Sequence, residues 1–358
     1  MMMMMMMISG SRYLRSFVVR SSHQQHRLLT CFGERDVRNS GKRRSVRWKS
    51  TLDSDNECVG VNLSTYPIHR PGSKEYDDLI EKSREDLRKT GCATFENFWN
   101  DEVVERATNH VAEHASTAFE TDNEHNAYQL SGHDENYADT HPRNVFMRTR
   151  VASLAYDELE IGRSPLYDLY NSKHFVDFVR DVTSQNKMYR LADKLGACSV
   201  NIFRPGWVRR ITFSLSQIYS TNTTILQFHE WHFDESEFTT TLCLQQAEEG
   251  GEFEFTPRLR DSQKDLCAPE VARIIRENST HTHMNAHGDE DIVAPAIHNA
   301  KFDPGTLQIF AGRYSLHRVK SIPQHCNLDR YVAVFCFASN EGVVNSPDVQ
   351  KMFWGRTA

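Results

Sequence analysis

The run FHEWHFDESEF (228–238) places His232 and Asp234 two residues apart. On a β-strand such residues project from the same face, so an imidazole and a carboxylate would meet there. A third ligand must come from another strand. His317 is the leading candidate, because it lies in GTLQIFAGRYSLHRV, where a β-type run meets a turn. Two imidazoles and one carboxylate on one face of an octahedral ion suit iron(II), leaving positions open for a chelating 2-oxo acid and for O2. The pair alone is weak, since the chain has 17 His and a second His-x-Asp stands at His287-Gly288-Asp289. That second pair sits in HTHMNAHGDEDIVAP (281–295), a polar stretch without strand periodicity that reads as a solvated loop.

Arg330 adds specificity. It begins the run RYVAVFCFAS, downstream of His317. A distal His, a turn and then Arg at the next strand's start would set a guanidinium beside the metal. There it could pair in bidentate fashion with the far carboxylate of 2-oxoglutarate. The plainer alternative is a surface Arg capping an edge strand. A zinc hydrolase fits less well, because Arg330 would then lack a purpose.

These residues need strands to position them, and the C-terminal half supplies the pattern. ACSVNIFRP, FTTTLCLQQ, GGEFEFTP, GTLQIFAG and RYVAVFCFAS are short β-type runs separated by turns from Gly196 onward, the spacing of a β-sandwich or barrel. Helices come first. Ser73 opens SKEYDDLIEKSREDLRKTG with acids in its first turn, Arg88 and Lys89 in its last and Gly91 as the stop. CATFENF (92–98) reads as a strand, DEVVERATNHVAEHA (101–115) as a second amphipathic helix, 121–145 as a polar connection, and SPLYDLYNSKHFVDFVRDVT (164–183) as carrying another helix. The expected organisation is a linker over 51–72, a helical support region over 73–183 and a β-rich core over 184–358.

Composition sets the outer bounds. The chain has 358 residues, 39% hydrophobic and 25% charged, with a net charge of −6, which suits a soluble globular protein and gives no reason to expect nucleic acid as a partner. No segment approaches the ~20 apolar residues of a membrane-spanning helix. The eight Cys form no CxxC pair, which argues against a disulfide scaffold or zinc knuckle and for a reducing compartment; Cys243 and Cys336 read as small buried hydrophobes. Residues 1–50 hold many Arg and Lys but only Glu34 and Asp36 as acids. Acid-poor, Arg- and Ser-rich composition is that of an organellar transit peptide, with mitochondrion ahead of plastid; a disordered basic tail is the alternative.

The motifs LGACSVNIFRPG, EWHFDESEFTTTLCLQ, EEGGEFEFTPRLRD, PGTLQIFAGRYSLHRV, RYVAVFCF and the terminal MFWGRT resemble one branch of the iron(II)/2-oxoglutarate oxygenases. This is the branch of the free-amino-acid radical halogenases and their hydroxylase relatives. The resemblance implies a double-stranded β-helix (jelly-roll) core with supporting N-terminal helices, iron(II) as cofactor, and 2-oxoglutarate and O2 as co-substrates. His232, Asp234 and His317 match the metal ligands and Arg330 the 2-oxoglutarate anchor. His229, Glu235 and Trp354 match positions that look substrate-facing. A carboxylate at Glu235 would suit the ammonium of an amino acid, and Trp354 could close over its stem; a solvated rim charge and a packing residue are the ordinary alternatives.

Halogenases of this branch replace the carboxylate ligand with Gly or Ala to make room for chloride. This chain keeps Asp234, so hydroxylation is expected, with succinate and CO2 as co-products. The favoured substrate is a small polar molecule, a free and lysine-like amino acid. An oxygenase acting on a protein side chain, a desaturase and a non-catalytic jelly-roll binding protein remain as alternatives.

Between Arg204-Pro205-Gly206 and His229 the chain carries WVRRITFSLSQIYSTNTTILQF, where relatives have a few residues. Deleting Val208 to Gln227 would leave RPGWFHEWHFDESEF and restore the family spacing. Val codons begin GT and Gln227 can be CAG, the letters of an intron's donor and acceptor, so the segment is read as a retained intron. A genuine surface loop is the alternative, tolerable because closure entropy grows slowly with length. Sequencing of the mature transcript should show most messages lacking the segment; its presence in most of them would end that reading.

Overall fold

The computed structural model describes residues 58, 60–130, 132–161, 163–205, 226–278, 295–299 and 301–358. The expected transit peptide, all but the last two residues of the 208–227 span, and the His-rich stretch up to residue 294 lie outside the described residues. Seven helices are described: α1 (Lys74–Thr90), α2 (Asp101–His114), α3 (Tyr156–Glu160), α4 (Pro165–Asn171), α5 (Lys173–Val182), α6 (Ala268–Asn278) and α7 (Pro347–Trp354). The strands are β1 (Cys92–Phe95), β2 (Phe119–His125), β3 (Met147–Leu154), β4 (Tyr189–Arg190), β5 (Cys198–Phe203), β6 (His229–His232), β7 (Phe238–Gln245), β8 (Phe253–Phe255), β9 (His298–Asn299), β10 (Leu307–Phe310), β11 (His317–Val319) and β12 (Arg330–Ala338). They form a major sheet in the order β1-β10-β7-β12-β5-β3-β2, with β4 on β12, and a minor sheet in the order β6-β11-β8-β9. Every pairing is antiparallel. This is a jelly-roll core with helical support, as the sequence implied.

Strand alternation gives the major sheet two different faces. One presents Ala93, Phe95, Leu242, Leu244, Leu307, Ile309, Ala333 and Phe335 to a single apolar cluster with Val103, Ala107, Leu169, Phe175 and Phe178 of the helices. The other carries Thr239, Thr241, Gln308 and Arg330, all buried. So the helix-facing side holds most of the core, and the inner side sets these polar groups among apolar residues such as Phe203, Phe310 and Val332.

Local chemistry explains the helices. Ser73 accepts from the Tyr76 N–H at 3.2 Å, and Gly91 closes α1 in the left-handed conformation, donating to the Leu87 carbonyl. Asn100 caps α2 through the Val103 N–H at 3.0 Å. The single helix expected within 164–183 is divided at Ser172, whose extended backbone ends α4 and starts α5.

Two expectations are corrected. The 73–183 region is not purely helical support: β1 forms one edge of the major sheet and β2 with β3 the other, so it builds the jelly roll directly. Residues 60–72 do not behave as a linker, since Val61 bridges to Trp99 and Ile68 is buried in the main cluster. No helix among the described residues is long and apolar enough to cross a membrane. Cys243 and Cys336 are buried and, with the other described cysteines, free.

Candidate metal centre

Strand register brings the two histidines together. β11 pairs with β6 so that His317 stands directly opposite His232, and their rings lie 4.2 Å apart between centroids. His232 ends its strand, so Asp234 is not a second strand residue on the same face, as its spacing suggested. It sits in the turn just beyond, where its N–H donates to the Gly312 carbonyl at 3.0 Å. There Asp234 Oδ1 lies 3.6 Å from His232 Nε2 and 3.4 Å from His317 Nε2. One ligand atom from each of the three residues falls within 4.8 Å of the others, the sole such group of three or more among the described residues.

Backbone contacts set the chemistry of each ligand. His232 Nδ1 lies 2.7 Å from the Glu230 carbonyl and His317 Nδ1 lies 2.9 Å from the Ser315 carbonyl. A carbonyl only accepts, so both Nδ1 atoms donate to it, which turns both Nε2 atoms towards Asp234. Burial first, then the neighbouring His317, holds His232 below its ordinary value, which keeps it neutral and able to coordinate. Burial pushes the Asp234 carboxyl up, but the adjoining His317 and His232 rings outweigh it and hold the group well below the usual carboxylate range.

Asp234 is held from behind as well. Thr239 Oγ1 donates to its Oδ2 at 2.5 Å, and Gly312 closes the other side. A Cβ on Gly312 would overlap Asp234 Oδ2 and stand 2.8 Å from both Asp234 Cγ and Thr239 Oγ1. Neither Thr239 nor Gly312 was singled out from sequence, although the alternation in FTTTLCLQ already turns Thr239 and Thr241 to one face.

The cluster opens into a cavity of about 70 Å³ whose walls include Phe203, Phe253, Phe302 and Phe310, with Arg330 among its lining residues. Arg330 begins β12 opposite Phe203; its guanidinium lies 5.5 Å from that ring and 5.6 Å from the Phe302 ring. It is buried, its Nη1 has no hydrogen-bond partner, and burial lowers it to about 10, so it stays charged at neutral pH. Gly251, with φ of +70°, lets its backbone pass the Arg330 stem, since a Cβ there would stand 2.7 Å from Arg330 Cδ. The plainer alternative of a surface cap does not hold: Arg330 is a buried cation without an ion-pair partner among the described residues, an arrangement that costs free energy unless an anion completes it.

His229 also lines the cavity. Its ring stacks on His232 at 3.5 Å between centroids, its Nε2 is unpartnered, and burial holds it well below its ordinary value. Glu235 and Trp354, expected to face the substrate, are not among the residues lining this cavity. Glu235 Oε2 accepts from the Ser346 N–H at 2.7 Å, which fixes the start of α7, and its side chain does not line the cavity. Trp354 is buried among Val151, Leu195, Phe203 and Phe353, a packing position. Gln227, the last residue of the long segment before His229, is buried; its Oε1 accepts from the Arg204 N–H at 2.5 Å, and its Nε2 donates to Glu120 Oε2 at 3.0 Å.

Sequence reasoning missed His125 on β2, which was read as part of a polar connection. Its Nδ1 donates to the Asn126 carbonyl at 2.9 Å, its Nε2 accepts from Thr149 Oγ1 at 2.5 Å, and its ring stands edge-on to His229 and His232.

No protein-family profile matches the chain, and no curated protein sequence matches it. Among solved structures, it is similar to the non-heme alpha-ketoglutarate-dependent epimerase SnoN from nogalamycin biosynthesis, with a TM-score of 0.46 and 9% identity over 73% of this chain and 81% of that one. A 2OG-Fe(II) oxygenase-family oxidoreductase from Burkholderia pseudomallei gives a TM-score of 0.39 at 12% identity over 76% and 94% of the two chains. A prolyl-4-hydroxylase from Pseudomonas putida gives 0.38 at 10% identity over 72% and 98%. Likeness this distant carries nothing about the site or substrate of this chain, which rest on the geometry above.

Two outcomes are expected. Gly312→Ala should displace the Asp234 carboxylate and weaken Mn(II) binding, measured by titration calorimetry, by roughly 10- to 100-fold; unchanged affinity would remove Gly312 from the account. For His125, burial lowers the imidazole from the ordinary 6.5 to about 4. The unfolded chain takes up that proton first on acidification, so this stabilisation is complete above 6.5 and is lost as the pH falls towards 4. The loss runs at about 1.4 kcal/mol per pH unit. In His125→Gln, the dependence of stability on pH across that window should be shallower by about one proton; identical slopes would contradict the assignment.

Proposed function

We propose that the chain is an iron(II)- and 2-oxoglutarate-dependent oxygenase that hydroxylates a small polar substrate, with a free, lysine-like amino acid as the favoured class. One observation carries the reading: a cluster of two imidazoles and a carboxylate shares a cavity with a buried guanidinium whose Nη1 has no hydrogen-bond partner among the described residues. The donor set fits iron(II), being nitrogen and oxygen without thiolate, and the orphaned cation fits the far carboxylate of a 2-oxo diacid. A zinc hydrolase would leave Arg330 unexplained.

In this reading His232, Asp234 and His317 hold the ion and Arg330 anchors 2-oxoglutarate. Iron(II) with that co-substrate supplies O2 activation, with succinate and CO2 released. The protein's own part is positioning. Glu230 and Ser315 fix the imidazole tautomers, Thr239 and Gly312 fix the carboxylate, and the four phenylalanines keep the cavity dry enough for the Arg330 charge to count. His229 lines the cavity with an unpartnered nitrogen and is the residue we assign to the substrate. The intact Asp234 supports hydroxylation over halogenation, because it fills the position that a halide would need.

Purified protein reconstituted anaerobically with iron(II), then given 2-oxoglutarate, O2 and a panel of free amino acids, should release succinate in a substrate-stimulated manner. His232→Ala and Asp234→Ala should abolish turnover, and Arg330→Ala should raise the KM for 2-oxoglutarate by about tenfold or more, the worth of a charge-assisted pair. Full turnover in either ligand variant, or no succinate from any member of the panel, would count against the proposal.

A further inference from the structure

A second buried arginine stands beside the metal ligands without lining the cavity. Arg260 is 3% exposed, is absent from the cavity wall, and has no carboxylate paired with it among the described residues. Aromatic faces meet its charge instead. The guanidinium lies 3.9 Å from the centre of the Phe233 ring and 6.0 Å from that of Tyr128, and the two rings stack at 5.9 Å. Phe233 is the residue between His232 and Asp234, so the cation rests on the side chain that separates two candidate ligands. Burial pushes the guanidinium down to about 10, which leaves it charged at neutral pH. Taking a cation out of water is unfavourable, and a Met or Leu would fill the space without that cost. Packing alone does not account for an arginine here.

What arginine adds is connection. A planar guanidinium can lie on a ring face and still donate from its edge to a carbonyl. Arg260 Nε donates to the Arg313 carbonyl at 2.6 Å, and the Arg260 N–H donates to the Tyr314 carbonyl at 3.4 Å. Arg313 in turn donates from Nε to the Glu235 carbonyl at 3.0 Å and from Nη1 to Glu237 Oε1 at 3.2 Å. The Phe233 N–H donates to the Ala127 carbonyl at 2.8 Å, next to Tyr128. The residues on both sides of Asp234 are thus tied, directly or through Arg313, to one guanidinium. Gly312, whose carbonyl accepts from the Asp234 N–H, is the residue before Arg313. We infer that Arg260 is a positioning residue for the metal centre: by clamping Phe233 to the turn over 312–314, it sets the angle at which Asp234 meets His232 and His317. It acts through its neighbours and holds no ligand itself. The inference rests on the metal site proposed above.

The test uses the full chain and Mn(II). Arg260→Met keeps an unbranched stem but removes the cation, and it should raise the Kd for Mn(II) in titration calorimetry by about tenfold. Its Mn(II) electron paramagnetic resonance spectrum should broaden, because Asp234 then meets the ion in more than one geometry. Arg260→Lys keeps a cationic donor beside the Phe233 ring and should recover most of the loss. Phe233→Leu removes the ring instead and should weaken binding by a similar factor, while the double variant Phe233→Leu/Arg260→Met should be no worse than either single one. The metal-free Tm of Arg260→Met should fall by only a few degrees, since relief of the buried charge offsets the lost hydrogen bond. Unchanged Mn(II) affinity and spectrum in Arg260→Met, or losses that simply add in the double variant, overturn the inference and leave the proposed function standing. So does an Arg260→Met chain whose Tm and affinity collapse together while Phe233→Leu binds as the wild type does. A wild-type chain that binds no Mn(II) overturns both.

Discussion

The site depends on one register. Because β11 pairs with β6 with His317 opposite His232, two imidazoles from strands far apart in sequence share one small space, and Asp234 finds both within 3.6 Å. A slip of one residue would turn His317 to the other face of the minor sheet and leave a buried carboxylate without its partners. Hydrophobic packing protects that register: Phe253 and Phe255 on β8 lie against β11, and Phe310 from the major sheet closes on the His317 ring. Core packing is thus the condition for the polar site.

The division of labour between the two faces of the major sheet follows from this. Its outer face, with the helices, gathers the largest apolar cluster among the described residues. The inner face can then carry groups that weaken the fold: an unpaired guanidinium, an unpartnered amide and a hydroxyl without a partner. Stability supplied on one side of a sheet offsets strain concentrated on the other, the arrangement expected where a pocket is built for a polar ligand rather than for packing.

Much of this was legible in the sequence because strands announce themselves by alternation. The β-runs from Gly196 onward, the caps of α1 and the positions of His232, His317 and Arg330 in relation to those runs follow from periodicity and turn chemistry. What escaped has physical causes. Asp234 lies beyond its strand, so the spacing rule gave a correct neighbour for an incorrect reason. β2 is the edge strand of the major sheet and carries exposed polar residues, so it does not read as a strand until its pairing with β3 is seen. Glu235 and Trp354 match substrate-facing positions by resemblance, yet here one fixes the first turn of α7 and the other fills a packed cluster. Gly312 and Arg260 had no signal of their own, because their importance lies in what stands across from them.

The central claim is that three side chains from β6, the turn after it and β11 hold a single metal ion. Crystals grown anaerobically with iron(II), measured on both sides of the iron absorption edge, test it most directly. The account predicts one strong anomalous peak bounded by His232 Nε2, His317 Nε2 and an Asp234 carboxylate oxygen. A metal-loaded protein with its peak elsewhere, or with no peak between these three residues, would contradict it.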